Sequence, residues 1–435
     1  MSADAAKLMA LVSFKVLFLQ YVFFCLGFYC ATLWAGQPGE IRGLWVVRTS
    51  LTSPESIDRL INEAADTGFN TLIVQVRGRG DAFYQSRLEP RSNLLSTQSA
   101  GFDPLAYLLE KAKPRDLRVH AWVNVLFVHE AAARKIRPNH VLARHSQWAM
   151  VPSSLASTFY SAKPTFPRSL ERIAEVIRKN SGVEGFYLDP AEPGVREHLV
   201  AVCSDLLSRY AVDGLHLDYL RYPDPSFGYG RAALDSFRQE IDEKLKPAER
   251  QRMARAFTRN RLYYTQRYPR QWAEFRRRQV TDLAAALYRA AHGQRAGTMV
   301  TAAVKADSEI AYSQKFQDWK LWMEEGLLDG LCPMAYTRSN DAFKSQVAIA
   351  RGLSFGRPVW VGIGAWQMSI QSTLEKIAIT RNLGADGFLL FSYENLGNRT
   401  ASRSAPPLPR LKAFLADSSN QSDQDEGEKE SALKD

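Results

Sequence analysis

The stretch VDGLHLDYLRYPD, Val212 to Asp224, sets His216 and Asp218 on alternate positions of an apolar run and then breaks at Arg221, Tyr222 and Pro223. Val, Leu and Tyr favour a strand, and proline ends one. Side chains alternate across a strand, so His216 and Asp218 share one face and Asp213 points to the other. A carboxylate near the end of an apolar strand is costly to bury unless something pairs with it. Asp218 is therefore either a salt-bridged core acid or a group that does chemistry.

Seven more strands of this kind surround it. They are IRGLWVV from Ile41, TLIVQV from Thr71, RVHAWVNV from Arg118, TMVTAAV from Thr298, LLDGLCPMAY from Leu327, PVWVGIGAW from Pro358 and DGFLLFSY from Asp386. Between them run helical patterns. SPESIDRLINEAADTG has Ser53 as a cap, Pro54 at the first position and Gly68 as a stop. DPLAYLLEKAKPRD, REHLVAVCSDLLSRY, RRRQVTDLAAALYRAA, FQDWKLWMEEG and LEKIAITRNLG keep the same 3.6 period. Near-continuous apolar strands alternating with amphipathic helices predict an α/β fold with a parallel sheet. Eight repeats predict a closed (β/α)₈ TIM barrel. An open doubly wound sheet is the competing architecture, and no GxGxxG or P-loop supports it. Two connections are long, Phe127 to Val195 after strand three and Arg221 to Gln271 after strand four, and are expected to form binding walls over the barrel mouth.

The 435 residues and 46% hydrophobic content suffice for a large core. The expected organisation is residues 1–36 as a signal peptide or membrane anchor, 37–416 as the barrel and 417–435 as a disordered acidic tail. Leu8 to Ala35 is apolar with Lys15 as its one charge, and its length suits either export signal or bilayer span. Both outcomes export the rest, to the periplasm, the cell envelope or the medium. The formal charge of +10 concentrates between Arg252 and Arg278. No nucleic-acid motif accompanies that run, so it reads as solvated helix, and a basic surface also suits an anionic polymer. Cys25 and Cys30 lie in the apolar segment, while Cys203 and Cys332 read as buried free thiols. No Cys or His spacing calls for a metal, and no cofactor is expected.

In such a barrel the active site lies where strands end. Those ends offer Arg77, Arg79 and Asp81 after strand two and His120, Trp122 and Asn124 on strand three. Strand four offers His216, Asp218, Arg221 and Tyr222, and strand five Lys305 and Asp307. Strand six ends in Met334, Ala335 and Tyr336, strand seven in Gly364 and Trp366, and strand eight in Tyr393, Glu394 and Asn395. Aromatic faces stack on sugar rings, and amides and carboxylates bind hydroxyls. Two carboxylates are what glycosidic bond cleavage needs, one to protonate the leaving oxygen and one to attack the sugar or activate water. Asp218 is the expected nucleophile or base, with Glu394 or Asp307 as the acid and Asp81 as an outside candidate. Arg77, Asp81, Trp122, Asn124, His216, Arg221, Tyr222, Tyr336, Trp366 and Tyr393 are expected to bind substrate.

The motifs RGLWV, NTLIVQVRGRGDAFYQS, DPLAYLLEKA, VHAWVNV, YLDPAEPGVREHL and VDGLHLDYLRYP, in this order and spacing, resemble the bacterial glycosyl hydrolase-like family 10. These are barrel proteins related to enzymes that cleave peptidoglycan glycan strands. The resemblance runs from about Ile41 to about Glu394 and implies a catalytic role for Asp218 and substrate contacts near Asp81 and Asn124. Many members carry a second acid directly after the first, where this chain has Tyr219.

The leading expectation is thus a glycosidase acting on a cell-envelope or extracellular polysaccharide, peptidoglycan strands included. The alternative is a barrel that binds glycan without cutting it, motivated by Tyr219. A metal-dependent hydrolase or deacetylase would need closely spaced His and Asp ligands, which the seven histidines do not supply.

Overall fold

The computed structural model describes residues 39–132, 135–161, 165–180, 182–397 and 407–416. The expected leader and acidic tail lie outside them. Among the described residues there are ten strands: β1 (Ile41–Val46), β2 (Thr71–Arg77), β3 (Arg118–Asn124), β4 (Phe127–Glu130), β5 (Gly185–Tyr187), β6 (Gly214–Asp218), β7 (Met299–Lys305), β8 (Gly330–Met334), β9 (Trp360–Gly364) and β10 (Gly387–Phe391). Eight of them close into a parallel barrel in the order β1-β10-β9-β8-β7-β6-β3-β2, and these are the eight read from the sequence. The remaining two, β4 and β5, pair antiparallel inside the long connection after β3. Their few residues carry no alternation long enough to mark them.

The helix Pro54–Thr67 shows how local chemistry sets an element. Ser53 Oγ accepts from Ser56 N–H in a capping box, Pro54 opens the helix, and Gly68 closes it at φ 98°. Ile57, Leu60, Ile61 and Ala64 bury one stripe of it.

The barrel's lower rim, at the strand N-termini, is joined by a repeated device. Ahead of β2, β6, β8 and β10 stand Asn70, Asp213, Asp329 and Asp386. Each side chain accepts the backbone N–H of the neighbouring strand: Arg42 to Asn70 (3.0 Å), Val119 to Asp213 (2.7 Å), Val300 to Asp329 (2.8 Å) and Val359 to Asp386 (2.9 Å). Each also donates its own backbone N–H to the carbonyl of that same residue, at 2.8–3.1 Å. The four reciprocal pairs use each barrel strand once and satisfy backbone groups that the ladder leaves open at its start. At β6 the following residue must be glycine, because a Cβ on Gly214 would lie 2.1 Å from His120 Nδ1.

The long connection after β6 corrects an expectation. It folds into helices Arg231–Asp242, Pro247–Arg259 and Tyr263–Arg267, leading into Pro269–Gln294. Their apolar faces form a core of their own around Phe237, Phe257, Trp272 and Phe275. These helices pack their aromatics against one another and against Tyr160, while Tyr222 and Phe227 join the main core, and of the connection only Arg221 reaches the cavity described below. The basic run lies mainly on exposed helix faces; Arg276 is an exception, stacked 3.9 Å over Phe316. Cys203 and Cys332 are buried free thiols.

Arg77, expected at the substrate, is instead fully buried. Its guanidinium makes a bidentate pair with Glu89 at 2.6 and 2.7 Å and also donates to the backbone carbonyls of Asn124 and Val125. This pair pins the loop after β2 to the end of β3. Burial opposes the charge of Glu89, but Arg77 outweighs it and the carboxyl falls to about 2.

Two outcomes are expected. Asp213→Ala leaves the Val119 N–H without its partner and lowers unfolding free energy by about 1–3 kcal/mol in urea titration. Because Glu89 holds its charge to about pH 2 when folded and about 4.5 when free, its contribution is present above the higher value and is lost as pH falls between the two. Acid titration of Glu89→Gln is expected to show a shallower stability slope in that window than the wild type.

Candidate active site

A cavity of about 220 Å³ opens at the upper rim, where the barrel strands end. Its floor is Trp45 from the end of β1. The indole Nε1–H donates to His216 Nε2 at 3.1 Å, and His216 Nδ1 lies 2.9 Å from Thr301 Oγ1. The Trp45 bond makes Nε2 an acceptor, so Nδ1 carries the imidazole proton and donates it to the threonine. Burial, aided by His120, lowers the His216 pKa to about 3, so the ring stays neutral at ordinary pH. His216 therefore supports the floor from below and does not line the cavity, because its face of β6 points into the barrel one layer down.

Asp218 ends β6, is 7% exposed and lines the cavity. Both hydrogen bonds it receives fall on Oδ1, from Tyr219 N–H at 2.6 Å and from Arg221 Nη1 at 3.0 Å. Oδ2 is thereby the oxygen available to a ligand. Tyr219 adopts φ 53°, a left-handed conformation that costs a non-glycine residue about 1–2 kcal/mol. That turn stacks the Tyr219 ring on Phe127 at 4.8 Å and sets the Arg221 guanidinium 4.3 Å over it. Burial opposes the Arg221 charge, yet Asp218 outweighs it and raises the guanidinium's pKa above its usual value. Burial, then the Asp218 charge, raises the pKa of both Tyr219 and Tyr336, so both phenols stay protonated and can donate.

The expected residues divide by what holds them. Asn124, Trp122, Arg221 and Tyr336 join Asp218 on the wall. Trp122 Nε1 donates to Asn124 Oδ1 at 2.9 Å, and Asn124 Nδ2 to Gly78 O at 2.9 Å, which fixes the amide. Trp366 is 45% exposed and stands just outside, its ring 4.9 Å from Tyr336 and 5.4 Å from Phe391. The others lie away from the cavity. Asp307 caps the helix Ser308–Gln314 by accepting Ile310 N–H. Glu394 Oε1 accepts Val47 N–H at 2.8 Å and Ser50 Oγ at 2.7 Å, tying β1 to the end of β10. Asp81 accepts Arg79 N–H in a turn. Tyr222 is fully buried against Phe316, and Tyr393 donates to Glu63 on the outer side. Among the described residues Asp218 is thus the only carboxylate on the cavity wall.

Sequence reasoning missed Trp45, Arg48, Gln75, Phe127 and Phe391, all on the wall. Trp45 and Gln75 sit inside strands that already read as core, and Phe127 lies in the unread β4. The alternation that marked Trp122 and Asn124 on β3 would have marked Gln75 on β2, since the two strands pair with Gln75 opposite Trp122.

The chain matches the family model described as glycosyl hydrolase-like 10 over residues 40–371. It is 24% identical over 324 residues to glycosyl hydrolase DigH of Escherichia coli K12, covering 69% of this chain. The match spans 66% of that relative, just under two thirds of its length. Glycosyl hydrolase YngK of Bacillus subtilis is 24% identical over 170 residues, 38% of this chain and 28% of its own. Among solved structures, the PgaB (BpsB) glycoside hydrolase domain from Bordetella bronchiseptica superposes with a TM-score of 0.59 at 14% identity, covering 87% of this chain and 99% of that one. The beta-galactosidase from Marinomonas ef1 gives 0.59 at 12% identity, over 88% and 60%. These likenesses are of fold.

Arg221→Gln leaves a buried carboxylate with one backbone donor and is expected to destabilise by about 3 kcal/mol. The Asp218→Asn/Arg221→Gln double variant recovers most of that loss, since no unpaired charge remains; chemical denaturation of the four proteins of this cycle measures it.

Proposed function

The chain belongs to the glycosyl hydrolase-like 10 family, and from that premise we propose that it cleaves a polysaccharide of the cell envelope or extracellular space, with Asp218 as the catalytic carboxylate. The observation that carries this reading is the company Asp218 keeps. It stands at a strand end, in a cavity walled by Trp45, Trp122, Phe127, Tyr336 and Phe391, with Trp366 exposed outside it. Aromatic rings at such a rim fit the apolar faces of sugar rings. Arg221 and the Tyr219 N–H hold Oδ1, so Oδ2 is presented in a fixed direction.

A carboxylate held this way suits attack on an anomeric carbon, activation of water, or stabilisation of the positive charge that develops in an oxocarbenium-like transition state. Phenols kept protonated at Tyr336 and Tyr219 suit hydrogen bonds to sugar hydroxyls or to the ring substituents. Stem-peptide-free peptidoglycan strands belong in the substrate panel alongside other envelope glycans. The apolar segment Leu8 to Ala35, read as an export signal or anchor, supports placing the barrel outside the cytoplasm.

A specific observation also favours a second reading, a barrel that binds glycan without cutting it. Among the described residues the cavity wall offers one carboxylate, where acid and base catalysis commonly use two. The two readings separate on one experiment. Release of reducing ends is measured across a glycan panel, with binding followed in parallel by calorimetry. Hydrolysis that falls by about 100-fold or more in Asp218→Asn, with binding retained, is the expected result. Binding without turnover by the wild type selects the second reading, and undiminished hydrolysis by Asp218→Asn removes Asp218 from the chemistry.

A further inference from the structure

Three arginines share the wall of the cavity with the single carboxylate, and they are not equally occupied. Arg221 is committed to Asp218 at 3.0 Å. Arg79 pairs at 2.6 Å with Glu130, whose side chain is 61% exposed and faces water, and the Arg79 Nε is buried with no hydrogen-bond partner among the described residues. Arg48 makes no ion pair among the described residues; its side chain donates from Nη1 to Gln75 Oε1 at 2.9 Å, a neutral amide. Burial first, and the neighbouring Arg79 charge second, lower the Arg48 pKa from its ordinary value against the smaller pull of the Asp81 and Glu130 carboxylates, although a guanidinium stays charged throughout the physiological range.

This cation is held in place rather than left to swing into solvent. A Cβ on Gly78 would lie 2.7 Å from Arg48 Cδ and 3.0 Å from Nη1, so the glycine lets the side chain lie flat on the loop. Gln75, which orients Arg48, is itself tied to Asn124 at 3.4 Å, and Asn124 to Trp122 and Gly78. A partly buried guanidinium beside a like charge costs free energy that nearby carboxylates, here Asp81 and Glu130, offset only in part. A planar fork of fixed direction is the arrangement that takes a carboxylate or sulfate through paired N–H donors.

Resting on the glycan reading above, we infer that Arg48 and Arg79 form an oxyanion subsite of the cavity, and that the sugar bound beside Asp218 carries an acidic substituent. Neutral polymers of the same backbone are then the poorer ligands. The acidic group sits against the β1–β2 side of the mouth, while the aromatic rings of Tyr336, Phe391 and Trp366 take the neighbouring ring face from the β8–β10 side.

The test titrates the full chain with uronate-containing, N-acetylmuramate-containing and sulfated oligosaccharides, each against its carboxyl-methylated or desulfated form. For at least one series the acidic form is expected to bind about tenfold or more tighter than its neutralised form, which identifies the oxyanion. That preference shrinks as salt rises from about 0.05 to 0.5 M. In Arg48→Gln it falls below about threefold. Gly78→Ala, which displaces Arg48 without removing it, reproduces the loss if Arg48→Gln does not fold. Equal binding of acidic and neutralised forms overturns the inference and leaves the glycan reading standing. A preference that survives intact in Arg48→Gln also overturns it. Failure of every acidic and neutral glycan to bind overturns the glycan reading, and the inference with it.

Discussion

Four short polar side chains at the lower rim tie the barrel strands together in neighbouring pairs. Asn70, Asp213, Asp329 and Asp386 each exchange two hydrogen bonds with the strand beside them, and together they reach every strand of the ring. A parallel sheet has no hairpins to set its register, so register must come from packing and from contacts of this kind. A one-residue slip at β6 would withdraw the Asp213 side chain from Val119 and turn Asp218 away from the mouth. The position of the catalytic candidate at the top is thus linked to a carboxylate five residues earlier at the bottom.

Above that rim the chain uses charge in two distinct ways. Arg77 and Glu89 are a closed pair, bidentate and sealed from water, and their role is to hold the loop after β2 against β3. Asp218 and Arg221 use the same chemistry at the edge of a cavity, where one carboxylate oxygen is satisfied and the other is presented. Arg48 and Arg79 go further and bring positive charge to the wall, where Arg79 pairs with the exposed Glu130 and Arg48 makes no ion pair among the described residues. Stability is concentrated where the pairing is complete, and the capacity to bind is concentrated where it is not.

The eight barrel strands were legible because each is a near-continuous apolar run, and the helix Pro54–Thr67 because its cap, its proline and its stop glycine are all local signals. Trp122, Asn124 and Asp218 were legible as candidate cavity residues because alternation along a strand places side chains before any tertiary contact is known, and Arg221 and Tyr336 because they follow strand ends, where such a barrel opens. Asp307 and Glu394 were not separable from Asp218 on those grounds. All three are acids at strand ends, yet one caps a helix, one ties β1 to β10, and one lines the cavity. The connection after β6 read as a binding wall from its aromatic content, whereas its helices pack most of those rings in a cluster of their own and Tyr222 and Phe227 join the main core.

The sequence alone determined the α/β class, the count of eight parallel strands and the candidacy of Asp218, because periodicity and strand ends are properties of neighbouring residues. Tertiary structure alone decided which charges are spent. Arg77 is consumed by Glu89 twelve residues on, while the Arg48 side chain, among the described residues, hydrogen-bonds to the amide of Gln75 from the next strand and makes no ion pair. Whether a charged side chain is a structural tie or an open binding group depends on the partner that folding brings within about 3 Å, and sequence separation carries no record of that distance.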